Sequence, residues 1–296
     1  MPNQPPTRHG LSLPLLILAC LVLVLAILLD WLGVSQAIAA NPIETSPLLT
    51  DEDRTMLDLL GPGVVVGPLD QPGIEDIAPW YPLQNQKGSY QRTISGQSSK
   101  SVTVLLTHVD RYPHDPPGSS AGAWTLNTTN RDIKYFLLKD GDLMLPTEVN
   151  INQGVATIFD PPEPVLLAGL KTGESRTVES KIAVYDLHKP KDKKYTGTLK
   201  FIYADKGAWR VTVPAGTFDA RLIVVTAEGK IGPGNIRSGY LVFYAKDVGR
   251  VAFVARRHVS AYLVYNKTTQ HALVLEKMTP ETTSLEPKKQ TKEPKP

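Results

Sequence analysis

The stretch Val211-Thr212-Val213-Pro214-Ala215-Gly216-Thr217-Phe218-Asp219-Ala220 decides the fold. Apolar residues alternate into it at Val211 and Val213 and out of it at Phe218 and Ala220, continuing to Leu222 and Val224. Between the two runs Pro214 fixes its own φ and Gly216 can adopt φ > 0, so the chain reverses there. Two period-two runs joined by such a turn form a β-hairpin.

The same alternation spreads outward from this hairpin. Upstream lie Val102, Val104 and Leu106 interleaved with Thr103, Leu105 and Thr107, and later Leu199, Phe201 and Tyr203. Downstream come Tyr240, Val242 and Tyr244, then Val251 and Phe253. A last pair, Tyr262 to Tyr265 and Ala272 to Leu275, is expected to turn through Asn266-Lys267-Thr268-Thr269. No segment after residue 61 keeps a helical period over three turns. The expected fold class is therefore mostly β, an antiparallel meander over residues 88–277. Parallel α/β architecture, and with it the usual nucleotide-binding crevice, is not expected.

Outside that domain the composition changes. Residues 11–34 hold the one long apolar run, with Arg8 and His9 ahead of it and Asp30 and Glu44 at or beyond its end. At 1.5 Å per residue it can cross a hydrocarbon core. The positive-inside rule puts residues 1–10 in the cytoplasm and the rest outside. Two readings stand: an uncleaved inner-membrane anchor with a periplasmic or extracytoplasmic domain, or a signal segment cleaved near Ala39. The single cysteine, Cys20, falls inside the apolar run, which excludes a disulfide framework and a multi-cysteine zinc site. Residues 41–87 are expected to be a Pro/Gly-rich linker with one short helix. Thr50 and Asp53 form a capping box there, Met56, Leu57, Leu59 and Leu60 give an apolar side, and Gly61 stops the helix. Trp80 and Tyr81 would pin the linker to the domain. Residues 279–296, with Lys288, Lys289, Lys292 and Lys295 among prolines and glutamates, read as a solvated tail.

The hairpin sequence resembles the V-P-A-G-T-F signature of bacterial exported β-domains of unknown function, some of them compared with the lipoprotein-carrier fold. Phe159-Asp160-Pro161-Pro162 followed by Leu166-Leu167 and Gly173-Glu174 resembles that family's upstream segment. Phe243-Tyr244-Ala245-Lys246-Asp247-Val248-Gly249-Arg250-Val251 resembles its downstream W-Y-A-x-G-V-G-x-V segment, with Phe243 in place of tryptophan and Asp247 in place of glycine. The resemblance spans roughly residues 155–276 and implies a curved antiparallel sheet, a half-barrel or open barrel. Related architectures hold acyl chains in that concavity. The lining would come from Phe201, Tyr203, Phe218, Leu222, Tyr240, Val242 and Phe253. The same residues would equally fill a closed core.

Other motifs carry less chemistry. Gly118-Ser119-Ser120-Ala121-Gly122 matches G-x-S-x-G, with His114 upstream, but no strand-turn-helix pattern surrounds it. His108, Asp110, His114 and Asp115 form a loose His-carboxylate group on a proline loop. Arg250, Arg256, Arg257 and His258 read as a charged edge strand or as a contact for lipid headgroups. Lys plus Arg is 32 against 29 Asp plus Glu, too balanced for a dedicated nucleic-acid binder. The chain holds no Walker A, H-E-x-x-H or usable G-x-G-x-x-G motif. No cofactor, metal or catalytic residue is assigned. The expectation is a membrane-attached, non-enzymatic envelope protein binding a lipid or another apolar ligand. The alternatives are a structural component docking another envelope protein and, more distantly, a serine hydrolase using Ser120.

Overall fold

The computed structural model describes residues 46–94, 99–114, 122–129, 131–262 and 265–280. The apolar run over residues 11–34, Cys20, Ser120 and the residues from 281 onward lie outside the described residues, and none of the described helices is long and apolar enough to cross a membrane.

One short helix, α1 (Asp51–Leu57), and a 3-10 turn (Asp58–Leu60) precede the sheet. The first strands are β1 (Val65–Leu69), β2 (Gln86–Ile94), β3 (Lys100–Val109), β4 (Ala123–Thr128), β5 (Asp132–Lys139) and β6 (Asp142–Asn150). There follow β7 (Val155–Leu166), β8 (Ser175–Asp186), β9 (Lys193–Val213), β10 (Gly216–Ile231), β11 (Gly234–Ala245), β12 (Gly249–Ala261) and β13 (Tyr265–Pro280). The hairpin that opened the sequence reading is β9–β10, with Val213 opposite Gly216 across Pro214-Ala215. The Ala215 N–H donates to the carbonyl of Leu275, which seats this turn against β13.

All pairings are antiparallel, and β2 to β13 form a ring because β8 pairs with β9 from Ser175↔Ala204 to Tyr185↔Lys193. The curved sheet is thus a closed barrel. The 21-residue β9 makes closure compatible with a further neighbour: beyond the β8 contact its Ala208–Val211 portion pairs with β1. Between the two portions β9 bulges around Gly207, which has φ 85°. Among the described strands β1 presents an unpaired edge whose donors Pro68 interrupts, and other one-sided stretches, such as 175–180 of β8 and 265–270 of β13, are short. That leaves little for strand addition by a partner.

Closure also depends on close backbone approach. A Cβ at Gly197 on β9 would overlap the carbonyl oxygen of Lys230 on β10. Gly197→Ala is expected to lower unfolding free energy by about 2 kcal/mol, as overpacking does. A urea midpoint shift at unchanged m-value checks this.

The stretch read as a linker is built into the domain. The capping box forms as the sequence indicates: the Asp53 N–H donates to Thr50 Oγ1 at 3.1 Å and the Thr50 N–H donates to Asp53 Oδ2 at 2.8 Å. Met56, Leu57 and Leu60 are buried in an apolar cluster with Val224, Leu241 and Phe243. Residues 70–83 then run into the barrel. Ile74, Ile77, Trp80 and Tyr81 are buried with inward side chains of β3 and β5–β11. The Tyr81 ring meets Phe136 edge-on at 5.7 Å and Tyr244 at 5.9 Å. Prolines and glycines make this segment irregular, and its aromatic residues make it core.

A fully buried ion pair ties the segment down. Arg221 Nε donates to Asp205 Oδ2 at 2.8 Å, with both side chains essentially unexposed. Arg221 Nη1 donates to the carbonyls of Gln71 and Pro72, and Nη2 to Thr172 Oγ1. Asp205 Oδ1 accepts the Gly207 N–H inside the β9 bulge.

At the other end of the barrel, the β12–β13 turn lies earlier than Asn266–Thr269. Those four residues are already strand and pair with β12, and the reversal starts at Tyr262, which has φ 53°. β13 also continues to Pro280, past the expected limit at 277, because its last residues pair with β2.

Candidate functional site

The interior divides into two zones. Toward the end entered by residues 70–83 it is apolar and filled. Phe201, Tyr203 and Val242 are buried there, and the Tyr203 hydroxyl accepts the Leu167 N–H. They form part of a packed core, not an open groove. Phe218 and Leu222 are not with them. The β9 bulge reverses which face the alternate residues occupy, so these two pack in the cluster that contains α1. Tyr240 and Phe253 complete the predicted set. They are half-buried and pack against that same core, with Phe253 directly opposite Val242 across β11–β12.

The second zone is polar. The Tyr240 hydroxyl on β11 donates to Glu163 Oε1 on β7, a bond that crosses the barrel and fixes both side chains as inward-facing. Phe253 stands beside Tyr240 at 6.3 Å and beside His271 at 5.7 Å, giving a row of rings over β11, β12 and β13. Lys134 pairs in register with Glu148, and both lie within electrostatic reach of Glu163, as does Arg257 for Glu163. Arg92 and Arg131 act on His271.

Burial sets the protonation of this zone. It pushes the Glu163 carboxyl up to about 8, against the opposing pull of Lys134 and Arg257, with Glu148 adding to the rise. Burial likewise drives His271 down to about 3, helped by Arg92, Arg131, Lys134 and Arg250. Burial opposes the Lys134 ammonium, yet Glu148, Glu163 and Asp132 outweigh it and its pKa rises. At neutral pH Glu163 is therefore mostly protonated and His271 uncharged. The charges acting on this zone are then Arg92, Arg131, Lys134, Arg250 and Arg257 as cations and Asp132 and Glu148 as anions. The zone combines an aromatic wall with surplus positive charge, an arrangement suited to an amphiphile bearing an acidic group.

The sequence reading singled out none of Glu163, Lys134, Glu148 or His271 as part of this group. The available signal was parity: Lys134 alternates with Phe136, so a charge shares the inward face of β5. The charged edge strand is corrected as well. β12 lies between β11 and β13, so it is no edge. Arg250 is drawn inward, its guanidinium 5.1 Å from the Tyr90 ring and 5.3 Å from the Phe253 ring. Arg256 reaches Glu52 of α1 at 3.8 Å, which Arg237 also approaches at 3.4 Å. These pairs lie in an outer cleft of about 540 Å³ between α1 and the sheet, where Glu52, Asp53 and Glu228 largely neutralise the basic residues.

His108 packs edge-on against Trp124 at 5.3 Å, and His114 lies against Tyr185 at 4.2 Å. Among the described residues no three His, Cys, Asp or Glu side chains converge as a metal site. Asp115 and the serine of the G-x-S-x-G match lie outside the described residues.

No family model matches the chain, and no curated protein matches it. Among solved structures it is similar to a candidate lipoprotein from Parabacteroides distasonis, at 11% identity and a TM-score of 0.35 over 71% of this chain and 100% of that one. It is also similar to a candidate exported protein with a YmcC-like fold from Bacteroides fragilis, at 11% identity and a TM-score of 0.42 over 70% of this chain and 99% of that one.

Proposed function

We propose that this chain is a membrane-tethered extracytoplasmic protein whose barrel binds an amphiphilic ligand without transforming it. The apolar run over residues 11–34 supports the tether and the exported side. The observation that carries the binding reading is the half-buried row Tyr240–Phe253–His271 beside the protonated Glu163 and the cationic Lys134. Aromatic faces would take the apolar part of the ligand, while Lys134, Arg92 and Arg257 would take an acidic group. The filled apolar zone would act as the floor of this site, so the ligand is expected to be short or only partly inserted.

The test uses the full chain released from membranes into a mild detergent, with a single-chain lysophosphatidic acid as probe and native mass spectrometry as readout. The wild type is expected to retain one probe molecule. Phe253→Ala and Tyr240→Ala each weaken retention about tenfold, in line with losing one aromatic contact. Asp219→Asn, on the exposed face of β10, leaves it unchanged. Equal retention by all four proteins would show adsorption to the surface or to the anchor and sink the reading.

A further inference from the structure

We infer that the barrel end carrying the β6–β7, β8–β9, β10–β11 and β12–β13 hairpins docks on an anionic phospholipid bilayer. Antiparallel order places all four turns at one end. There the chain exposes apolar surface that the fold does not cover: Tyr262 at 80%, Tyr195 at 49%, Tyr265 at 48% and Ile151 at 44%. Around these stand Lys189, Lys191, Lys193, Lys194, Lys230 and Lys267, all exposed. Of the acids nearby, Asp186 is engaged by Lys194 at 2.8 Å.

Within three residues of these turns stand six lysines against Glu148, Asp186 and Asp192, so basic residues gather at this end. Basic residues alone would suit any polyanion. Tyrosines at the turn tips, with an apolar ring and a polar hydroxyl, favour the boundary between headgroups and acyl chains. Lysines beside them favour anionic headgroups. Of the polar interior residues, Lys134 and its register partner Glu148 lie within a few residues of this end, so docking here would bring the cationic side of the proposed site toward its lipid source. The inference rests on that reading only for the nature of the ligand.

The experiment uses the full chain with Cys20→Ser and one new cysteine. Asn266→Cys lies between Tyr265 and Lys267, whereas Leu138→Cys is exposed at the opposite end of the barrel. Each is labelled with a fluorophore, and quenching by brominated lipid is read in vesicles of phosphatidylcholine alone or mixed with phosphatidylglycerol. The Asn266 label should be quenched several-fold more than the Leu138 label, and only in the anionic vesicles. Replacing Lys189, Lys191, Lys230 and Lys267 with glutamine should abolish the difference. Equal quenching of the two labels, or no dependence on phosphatidylglycerol, would overturn the inference. So would protection of the Asn266 label by polyphosphate without quenching by anionic vesicles, which identifies a polyanion site. Flotation of the chain with neutral vesicles reports the tether separately, and lysophosphatidic acid retention reports the interior site.

Discussion

Replacing Arg221 with methionine is expected to cost about 3–5 kcal/mol of unfolding free energy, the range for stranding one partner of a buried ion pair. Four acceptors lose their donor at once: Asp205, Thr172 and the carbonyls of Gln71 and Pro72. Asp205 is then a carboxylate with almost no exposure and only the Gly207 N–H to stabilise its charge. Urea unfolding read by tryptophan fluorescence checks this, since Trp209 lies near the lesion in β9 and Trp80 reports the inserted segment. The double variant Arg221→Met with Asp205→Asn keeps the acceptor for Gly207 while removing the orphan charge. It is expected to be less damaged than Arg221→Met alone, and a strictly additive double variant would show that the pair is not coupled.

The same pair anchors the segment that fills the barrel interior. Residues 70–83 supply Ile74, Ile77, Trp80 and Tyr81 to the barrel interior, and Arg221 grips the chain at Gln71 and Pro72 just before they enter. Loss of that grip should loosen the inserted segment before the sheet itself unravels. The effect would appear as Trp80 exposure at urea concentrations where the ring of strands still holds.

The local part of this structure was legible because it depends on neighbouring residues. Pro214, Gly216 and the flanking alternation specify a hairpin without outside help, and Thr50 with Asp53 specifies a helix start. Distant pairing was not legible. Nothing local in Ser175–Asp186 says that it closes a ring on Lys193–Ala204, and closure turns a half-barrel into a barrel. A single bulge did the most harm to the site reading. Phe201 and Tyr203 point inward by simple alternation, but around Gly207 the parity reverses, so Phe218 and Leu222 fall on the other face. Tyr240 and Phe253, whose strands pair past that point, stayed with the interior. The partners across the barrel, above all Glu163, could only be found once the ring was closed.

Glu163 also makes the site sensitive to pH. Its carboxyl, raised to about 8 in the folded protein, sits near 4.3 in an unfolded chain. The folded state therefore holds the extra proton between these values, and that contribution is complete below about pH 4.3 and lost as pH rises through about 8. His271 works in the opposite sense. Depressed to about 3 from an ordinary value near 6.5, its contribution is complete above about pH 6.5 and lost as pH falls toward 3. The two slopes oppose each other between about pH 4.3 and 6.5, which leaves Glu163 as the main slope above that window. Stability is expected to fall by about 2 kcal/mol between pH 6.5 and 8. Glu163→Gln, which keeps an acceptor for the Tyr240 hydroxyl and cannot ionise, should remove that fall. Lys134, which faces Glu163, offers no substitute for it, because its own pKa is raised and it keeps its charge across this range. Ligand binding should follow the same proton. Ionised Glu163 adds a negative charge beside the site that would receive an acidic headgroup, so lysophosphatidic acid retention should weaken from pH 6.5 to 8.5 in the wild type and stay level in Glu163→Gln. Parallel pH profiles in the two proteins would place the acidic group of the ligand away from Glu163 and remove Lys134 from its recognition.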